Sequence, residues 1–367
     1  TGKDTGLISR EYGKMENVDG VWVMNLDLVI MVDPNKTDLN QYSHMIPNYS
    51  VDNFEPRWWP TGSSGENEYK TVYIEEGVLG IGANAFQNMT TLEYVQIPST
   101  VKTIGANAFS GVSGARFDNG NGETTLDLSN VTSIGEGAFQ NCSGMGGSAT
   151  SPITIQFGAN LSSIGESAFN NAGLRTVTFN SNAPIKEIDD FAFASNQISN
   201  LALPDNVKTI GASAFYNNRL TSLTLPKNLV TIEDRAFYRS RPAQNNLTNL
   251  VIPSNVESIG ADAFCNIMSL AEVEIQSTVL TELGDRAFGS TASNAYSQSI
   301  GPVTIRYVDD PATNTHDDIK TAAGVSYSVG AQFKIPEKLI SLFEEKANIA
   351  YYRGDRGPLV YNEAWSY

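Results

Sequence analysis

The sequence predicts a solenoid, a chain wound into stacked coils, and three observations carry the prediction. A six-residue string of the form Ile-Gly-x-x-Ala-Phe recurs nine times, starting at Ile81, Ile104, Ile134, Ile164, Ile188, Ile210, Ile232, Ile259 and Leu283. The copies begin 22 to 30 residues apart, a period that marks solenoids and related arrays. Ahead of each copy lies a short alternating apolar run, the pattern of a strand with one buried face.

Composition removes the competing classes. The 367 residues carry a net charge of −16, only 17% of them are charged, and 41% are hydrophobic. No apolar run approaches the roughly 20 residues needed to cross a bilayer. A coiled coil and a disordered chain are excluded by the same numbers. The acidic balance argues against nucleic acid, whose binding rests on Lys and Arg neutralising phosphates.

Taken in chain order, residues 1–68 do not repeat and read as an N-terminal cap. A solenoid's first coil exposes an apolar face that must be covered. Within this segment Gly20 to Pro34 reads as a β-hairpin, or two short strands, around Asn25 to Asp27. Glu55 to Pro60 adds the adjacent Trp58 and Trp59. Part of the cap is the favoured reading for them; an aromatic carbohydrate platform is the other.

Residues 69–308 form the predicted solenoid of about ten strands and nine motifs. The strand runs pair Val72 with Ile74, Val95 with Ile97, Leu126 with Leu128, Ile155 with Phe157 and Val177 with Phe179. Leu201 and Leu203, Leu223 and Leu225, Leu250 and Ile252, Val273 and Ile275, and Val303 and Ile305 continue the series. Pro98, Pro204, Pro226 and Pro253 end strands at a common place, because proline lacks an N–H and fixes φ.

The motif phenylalanines are Phe86, Phe109, Phe139, Phe169, Phe193, Phe215, Phe237, Phe264 and Phe288. Stacked coils place equivalent side chains about 4.8 Å apart, so these rings are expected to form an interior column. The alanine before each suits a close approach of backbones. Asp189 and Glu233 replace the motif glycine in two copies, so this position is not read as one that requires a left-handed backbone. The longer third and fourth units hold 110–125 and 141–152, read as Gly/Ser-rich loops.

Residues 309–367 read as a C-terminal cap and tail. A polar loop follows Ile305, then Ile335 to Asn348 reads as a short capping helix with Pro336 at a permitted start. The tail tripeptide Arg353-Gly354-Asp355 reads as an ordinary glycine turn.

Chemistry-bearing patterns are sparse. His44 and His316 stand apart, with no Cys or second His nearby, and no zinc-ligand spacing occurs. Nucleophile-elbow and phosphate-loop motifs are absent. Asp118 to Glu123 only superficially suggests a calcium loop, since it lacks the twelve-residue ligand pattern. The two cysteines, Cys142 and Cys265, sit five coils apart in the repeat count, about 24 Å at one strand spacing per coil. Both are expected to stay free, with Cys142 packed inside. No metal, cofactor or catalytic residue is expected.

Side chains between two inward strand positions point outward. That row contains Tyr73, Gln96, Asp127, Gln156, Thr178, Thr224 and Glu274, with Tyr94 in the neighbouring row. These eight make the candidate binding face. Asp127 and Glu274 lie six strands apart, about 29 Å, which no glycosidase pair tolerates.

The unit resembles the BspA-like leucine-rich-repeat proteins, whose repeat reads roughly L-x-x-V-x-I-P…V-x-x-I-G-x-x-A-F-x-x-C. Leu92 to Phe109, LEYVQIPSTVKTIGANAF, fits it nearly position for position, and Cys142 takes the place of that family's frequent cysteine. The resemblance implies a leucine-rich-repeat solenoid with a parallel β-sheet on one face and short irregular or turn segments on the other. It also implies an exported bacterial protein, extracellular or on the cell surface, with an adhesive or binding function. The leading expectation is a non-catalytic protein whose extended face binds a host or microbial surface protein. The runner-up is a polysaccharide binder using Tyr73, Tyr94 and the Trp58/Trp59 pair; a structural spacer comes third. A monomer is expected, without a membrane span, anchored if at all by lipid on a segment outside these residues.

Overall fold

The computed structural model describes residues 5–18, 21–32, 34–36, 43–48, 69–120, 124–240, 247–267, 269–270, 272–284, 287–288, 304–307, 332–335, 339 and 342. The chain is a parallel β-solenoid of the leucine-rich-repeat type, and it divides into two compact units, Thr1–Ser199 and Asn200–Tyr367.

Unit one contains β1 (Leu7–Val18), β2 (Val21–Val32), β3 (Tyr69–Ile74), β4 (Gly80–Ile81), β5 (Tyr94–Gln96), β6 (Thr103–Ile104), β7 (Arg116–Asp118), β8 (Thr125–Leu128), β9 (Ser133–Ile134), β10 (Thr154–Phe157), β11 (Ser163–Ile164), β12 (Thr176–Phe179) and β13 (Glu187–Ile188). The longer strands form two sheets, ordered β1-β2-β3-β5-β7 and β8-β10-β12. Two-residue strands build a second wall, ordered β4-β6-β9-β11.

The hairpin differs from the expected one. β1 and β2 pair antiparallel from Leu7↔Val32 to Val18↔Val21, so Asn25, Leu26 and Asp27 lie inside a strand. Between the two strands the chain has only Asp19 and Gly20, a dipeptide suited to a two-residue connection, which Asn-Leu-Asp is not. β2 then pairs parallel with β3, Leu28↔Val72 and Ile30↔Ile74, so the hairpin extends the strand sheet.

Part of 110–125 is likewise no loop. Arg116–Asp118 is strand β7, paired in register with β5 as Tyr94↔Arg116, Val95↔Phe117 and Gln96↔Asp118. Phe117 is fully buried, edge-on to Phe109 at 5.4 Å and to Phe139 at 5.7 Å.

The third wall of each coil carries the motif and is regular. Asn84, Phe86 and Asn88 donate their N–H groups to the carbonyls of Ala106, Ala108 and Ser110 in the next coil, at 2.7 to 2.8 Å. Asn107, Phe109 and Gly111 donate in the same way to Glu136, Ala138 and Gln140, each at 2.8 Å. The amides between them close local turns, as Ser110 does on Asn107 at 3.1 Å. Every second amide can therefore leave its own coil, and this requires backbone that alternates in hand. The fourth motif position is left-handed in every described copy: Asn84, Asn107, Gly137, Ser167, Phe191, Ser213, Arg235 and Asp262, with φ between 54° and 59°.

The motif glycine itself has another purpose. A Cβ on Gly105 would lie 2.4 Å from the backbone nitrogen of Ala83, and one on Gly135 would lie 2.5 Å from that of Ala106. Glycine is used there for close packing of coils.

The motif rings stack inside this wall. In unit one, successive centroids of Phe86, Phe109, Phe139, Phe169 and Phe193 lie 5.1 to 5.3 Å apart with planes within 11°. Each motif alanine is fully buried. Three residues after the phenylalanine, one slot serves the preceding coil's phenylalanine carbonyl. Cys142 Sγ donates to Phe109 O at 3.0 Å, and Asn196 Nδ2 donates to Phe169 O at 2.8 Å. Burial pushes the Cys142 thiol well above its usual range, which keeps it a donor. Both cysteines are buried, and neither forms a disulfide.

Unit two contains β14 (Asn200–Ala202), β15 (Thr209–Ile210), β16 (Ser222–Thr224), β17 (Thr231–Ile232), β18 (Asn249–Ile252), β19 (Ser258–Ile259), β20 (Glu272–Ile275), β21 (Glu282–Leu283), β22 (Thr304–Tyr307) and β23 (Gln332–Ile335). Its long strands pair as β14-β16 and β18-β20-β23-β22, and its short ones as β15-β17-β19-β21. The rings of Phe215, Phe237, Phe264 and Phe288 stack at 5.0 to 5.4 Å. The last of these, Phe288, is only half-buried.

Ile335, the expected first residue of the capping helix, ends β23, which inserts between β20 and β22. Of the remainder to Asn348, Leu339 and Leu342 are described and helical, and the rest lies outside the described residues, as do His316 and the Arg353-Gly354-Asp355 tail.

Candidate binding face

Strand alternation fixes which side chains face outward, and parallel in-register pairing turns them into rows. The structure gathers the expected residues into separate groups. Asp127, Gln156 and Thr178 form one row across β8, β10 and β12, each exposed, with Thr125, Thr154 and Thr176 in register beside them. Short side-chain bonds fix this row: Asp127 Oδ1 accepts from the Ser129 amide at 2.8 Å, and Gln156 Nε2 donates to Ser129 Oγ at 3.2 Å.

Tyr73, Tyr94 and Gln96 form a second group on β3 and β5. The two tyrosine rings sit 5.6 Å apart, inclined at 55°, and all three residues are half-buried. Thr224 and Glu274 belong to unit two, on β16 and β20 in different sheets. Glu274 accepts from Gln276 Nε2 at 2.8 Å. Trp58 and Trp59 lie outside the described residues.

β7 adds two residues to the second group that the sequence reading passed over. Asp118 continues the row of Tyr73 and Gln96, and Arg116 that of Thr71 and Tyr94. The signal was available. Val95 to Phe117 is one step of 22 residues, the same as the shortest motif spacing, but the glycines around Phe117 masked it.

Asp118 is almost entirely buried. Its Oδ1 accepts from the Tyr94 hydroxyl at 2.5 Å and from the Gly120 amide at 2.7 Å, and its Oδ2 faces Arg116 Nε at 3.4 Å. Burial raises the Tyr94 phenol above its usual value, and the hydrogen bond and charge of Asp118 raise it further. Asn119 carries the fold across the break between the two sheets. Its side chain accepts from the Asp127 amide at 2.6 Å and donates to the carbonyls of Asp127 at 3.0 Å and Ile97 at 2.8 Å.

Elsewhere little suggests a reaction centre. Among the described residues, no group of His, Cys, Asp and Glu could hold a metal ion. His44 is buried, with its Nε2 hydrogen-bonded to the Lys36 carbonyl at 2.7 Å. A cleft of about 160 Å³ beside the hairpin, lined by Leu7, Ile8, Ile30 and Ile46 among others, is smaller than the few hundred Å³ of a typical ligand site.

Residues 64–146, 115–244 and 242–312 match the model of the BspA type leucine rich repeat region. The chain belongs to the BspA type leucine-rich-repeat family. BspA-type coils thus account for most of its length, and β7 lies within the matched region. Three solved structures are similar to it. A leucine rich cell surface protein from Faecalibacterium prausnitzii is 22% identical, with 71% of this chain and 69% of that one covered and a TM-score of 0.42. A leucine-rich repeat protein from Eubacterium ventriosum is 18% identical over 82% and 87%, with a TM-score of 0.37. The pneumococcal vaccine antigen PcpA is 16% identical over 94% and 97%, with a TM-score of 0.32. Among curated proteins, none matches. No helix among the described residues is long and apolar enough to cross a membrane.

Proposed function

We propose that this BspA-type protein is an exported, non-catalytic binding or adhesion protein, on the cell surface or secreted, that holds a protein partner against the outward face of its strands. The observation that carries the reading is the in-register row Asp127–Gln156–Thr178 with its flanking threonines. The row is exposed and its flanking threonines are half-buried; all are polar, only Asp127 is charged, and they stand on strands fixed by buried neighbours. Such a surface offers many hydrogen-bonding groups on a rigid frame, so little ordering opposes binding. It contains no pair of carboxylates facing each other across a cleft, and no histidine or thiolate in reach.

The repeat family supports the location. The net charge of −16 disfavours nucleic acid as the partner. A monomer that presents this face freely is the simplest form of the reading. The test immobilises the full chain and measures capture of purified extracellular-matrix and microbial surface proteins. The double variant Gln156→Arg with Thr178→Arg should weaken the detected complex about tenfold or more. Unchanged affinity in a folded double variant would put the site elsewhere.

A further inference from the structure

The outward face of unit one is uneven. Its β8-β10-β12 rows hold Thr, Gln and one Asp, while the β3-β5-β7 rows hold the two tyrosines, a guanidinium, an amide and a buried carboxylate. We propose that Tyr73, Tyr94, Gln96 and Arg116, braced by Asp118, form a subsite for a neutral pyranose of a glycan. This rests on the reading of the strand face as the binding surface, and it names the ligand chemistry at one part of that face.

The argument begins with Asp118. A carboxylate 1% exposed is costly to keep unless hydrogen bonds and an opposite charge compensate it. Here a tyrosine hydroxyl, a backbone amide and Arg116 do so. Phe117, the next residue along the strand, points inward to the ring column, whereas Asp118 lies in the outward row with Tyr73 and Gln96. What the arrangement achieves is to hold the Tyr94 ring by its hydroxyl and to set the Arg116 guanidinium beside a countercharge. Tyr94 is held at its hydroxyl end by Asp118, and its ring meets Tyr73 at 55°. Gln96 is fixed from both sides. Its Nε2 lies 3.4 Å from the Ile74 carbonyl, and Gly120, where a Cβ would come within 2.8 Å of its amide, passes close beside it.

A pyranose has an apolar C–H face and a rim of hydroxyls that both donate and accept. Inclined, half-exposed rings suit the first, because tyrosine joins an apolar body to a polar tip. Planar groups bearing several donors, such as the Arg116 guanidinium and the Gln96 amide, suit the second. Arg116 is balanced by Asp118, so the cluster has no net positive charge, and the chain as a whole is strongly acidic. Both facts favour a neutral sugar over a uronate or sulfated one. Pre-fixed side chains also lower the ordering cost that otherwise makes single-sugar contacts weak.

The test applies the folded full chain to an array printed with neutral and anionic oligosaccharides, then titrates the positive neutral ligand. Tyr73→Ala should weaken binding about tenfold or more, as loss of a stacking ring does elsewhere. Arg116→Lys, which keeps charge but loses the fork, should weaken it severalfold. Both variants must retain the wild-type melting temperature within a few degrees, since both side chains are partly exposed; a variant that does not is replaced by Tyr73→Ser or Arg116→Gln. Silence of the folded wild-type chain across the array overturns the subsite, as does preference for anionic glycans or binding indifferent to both substitutions. Loss of protein capture in the Gln156/Thr178 variant is read separately, so failure of the wider face and failure of the subsite are distinguishable.

Discussion

On the turn wall of unit one the fourth and sixth motif positions read Asn107 and Phe109, then Gly137 and Phe139, then Ser167 and Phe169. On the strand face of the same coils the outward residues read Gln96, Asp127 and Gln156. The first wall repeats because its residues are constrained from every side. Its phenylalanines stack within 11° of parallel, its alanines have no exposed surface, and its fourth position needs a left-handed backbone. The strand face is packed mainly on its inward side, so its outward residues vary with whatever the surface is for. The repeat therefore records the fold, and departures from the repeat are where recognition can be written.

The sharpest way to break the comparison is to remove one stacked ring. Phe169 is fully buried between Phe139 and Phe193, at 5.1 and 5.2 Å. Phe169→Ala should cost about 3–5 kcal/mol, read as a drop in the urea midpoint. A loss below about 1 kcal/mol would mean that the ring column is not the core. A smaller break targets backbone spacing. In Gly105→Ala the new methyl would meet the Ala83 nitrogen at 2.4 Å. Backbone cannot swing aside as a side chain can, so the coils must part at a cost of about 1–3 kcal/mol. The same denaturation measurement decides it.

How much of this was legible follows the same division. The motif wall was readable because the alanine and phenylalanine slots keep one residue type in every copy, and Phe86 through Phe264 are buried as that pattern implies. The left-handed positions were harder to see, because Asn, Gly, Ser, Asp, Phe and Arg all occupy the fourth slot; only backbone geometry unites them. β7 was missed because glycines surround a three-residue strand, and a period search that trusts motif copies does not test for a strand without one. With β7 went Arg116 and Asp118, two of the five residues of the tyrosine cluster. The hairpin turn was misplaced because the apolar pattern of β2 outweighed Asp19-Gly20, a local signal specific to turns.

One of the two coils that lack the motif glycine sharpens the rule. In Ile188-Asp189-Asp190-Phe191-Ala192-Phe193 an aspartate replaces the glycine, and a phenylalanine, 40% exposed, holds the left-handed position at φ 54°. Bulky residues are strained there, whereas asparagine tolerates it. Phe191→Asn should therefore raise stability by about 1 kcal/mol, a gain from replacing an apolar residue by a polar one. Asp189 adds a pH dependence. Burial, with repulsion from Glu187, Asp190 and Glu166, raises its carboxyl from 3.8 to about 6. The folded chain then holds this proton more tightly than the unfolded one. Its contribution to stability is full below about pH 4 and is lost as pH rises through about 6. Asp189→Asn should flatten that part of the pH profile and stabilise the protein at pH 7. Because the group is partly exposed, the gain should be below about 1 kcal/mol. A profile unchanged by the substitution would show that this carboxyl titrates normally.

The smallest effect on stability belongs to the strand face, and its smallness is the point. Thr178 is exposed, at the end of the Asp127–Gln156–Thr178 row, on a strand whose inward neighbour Val177 is buried. Its hydroxyl makes only a long bond to the Ile155 carbonyl, at 3.4 Å. Thr178→Ala should shift stability by no more than about 0.5 kcal/mol, since the main loss is the modest strand preference of threonine. If it instead cost as much as Gly105→Ala, the outward row would be part of what holds the coils together, and its residues could not be read as free to serve recognition. Equality with wild type in unfolding, combined with a measurable loss of partner affinity, is the pattern that separates a surface kept for binding from one kept for folding.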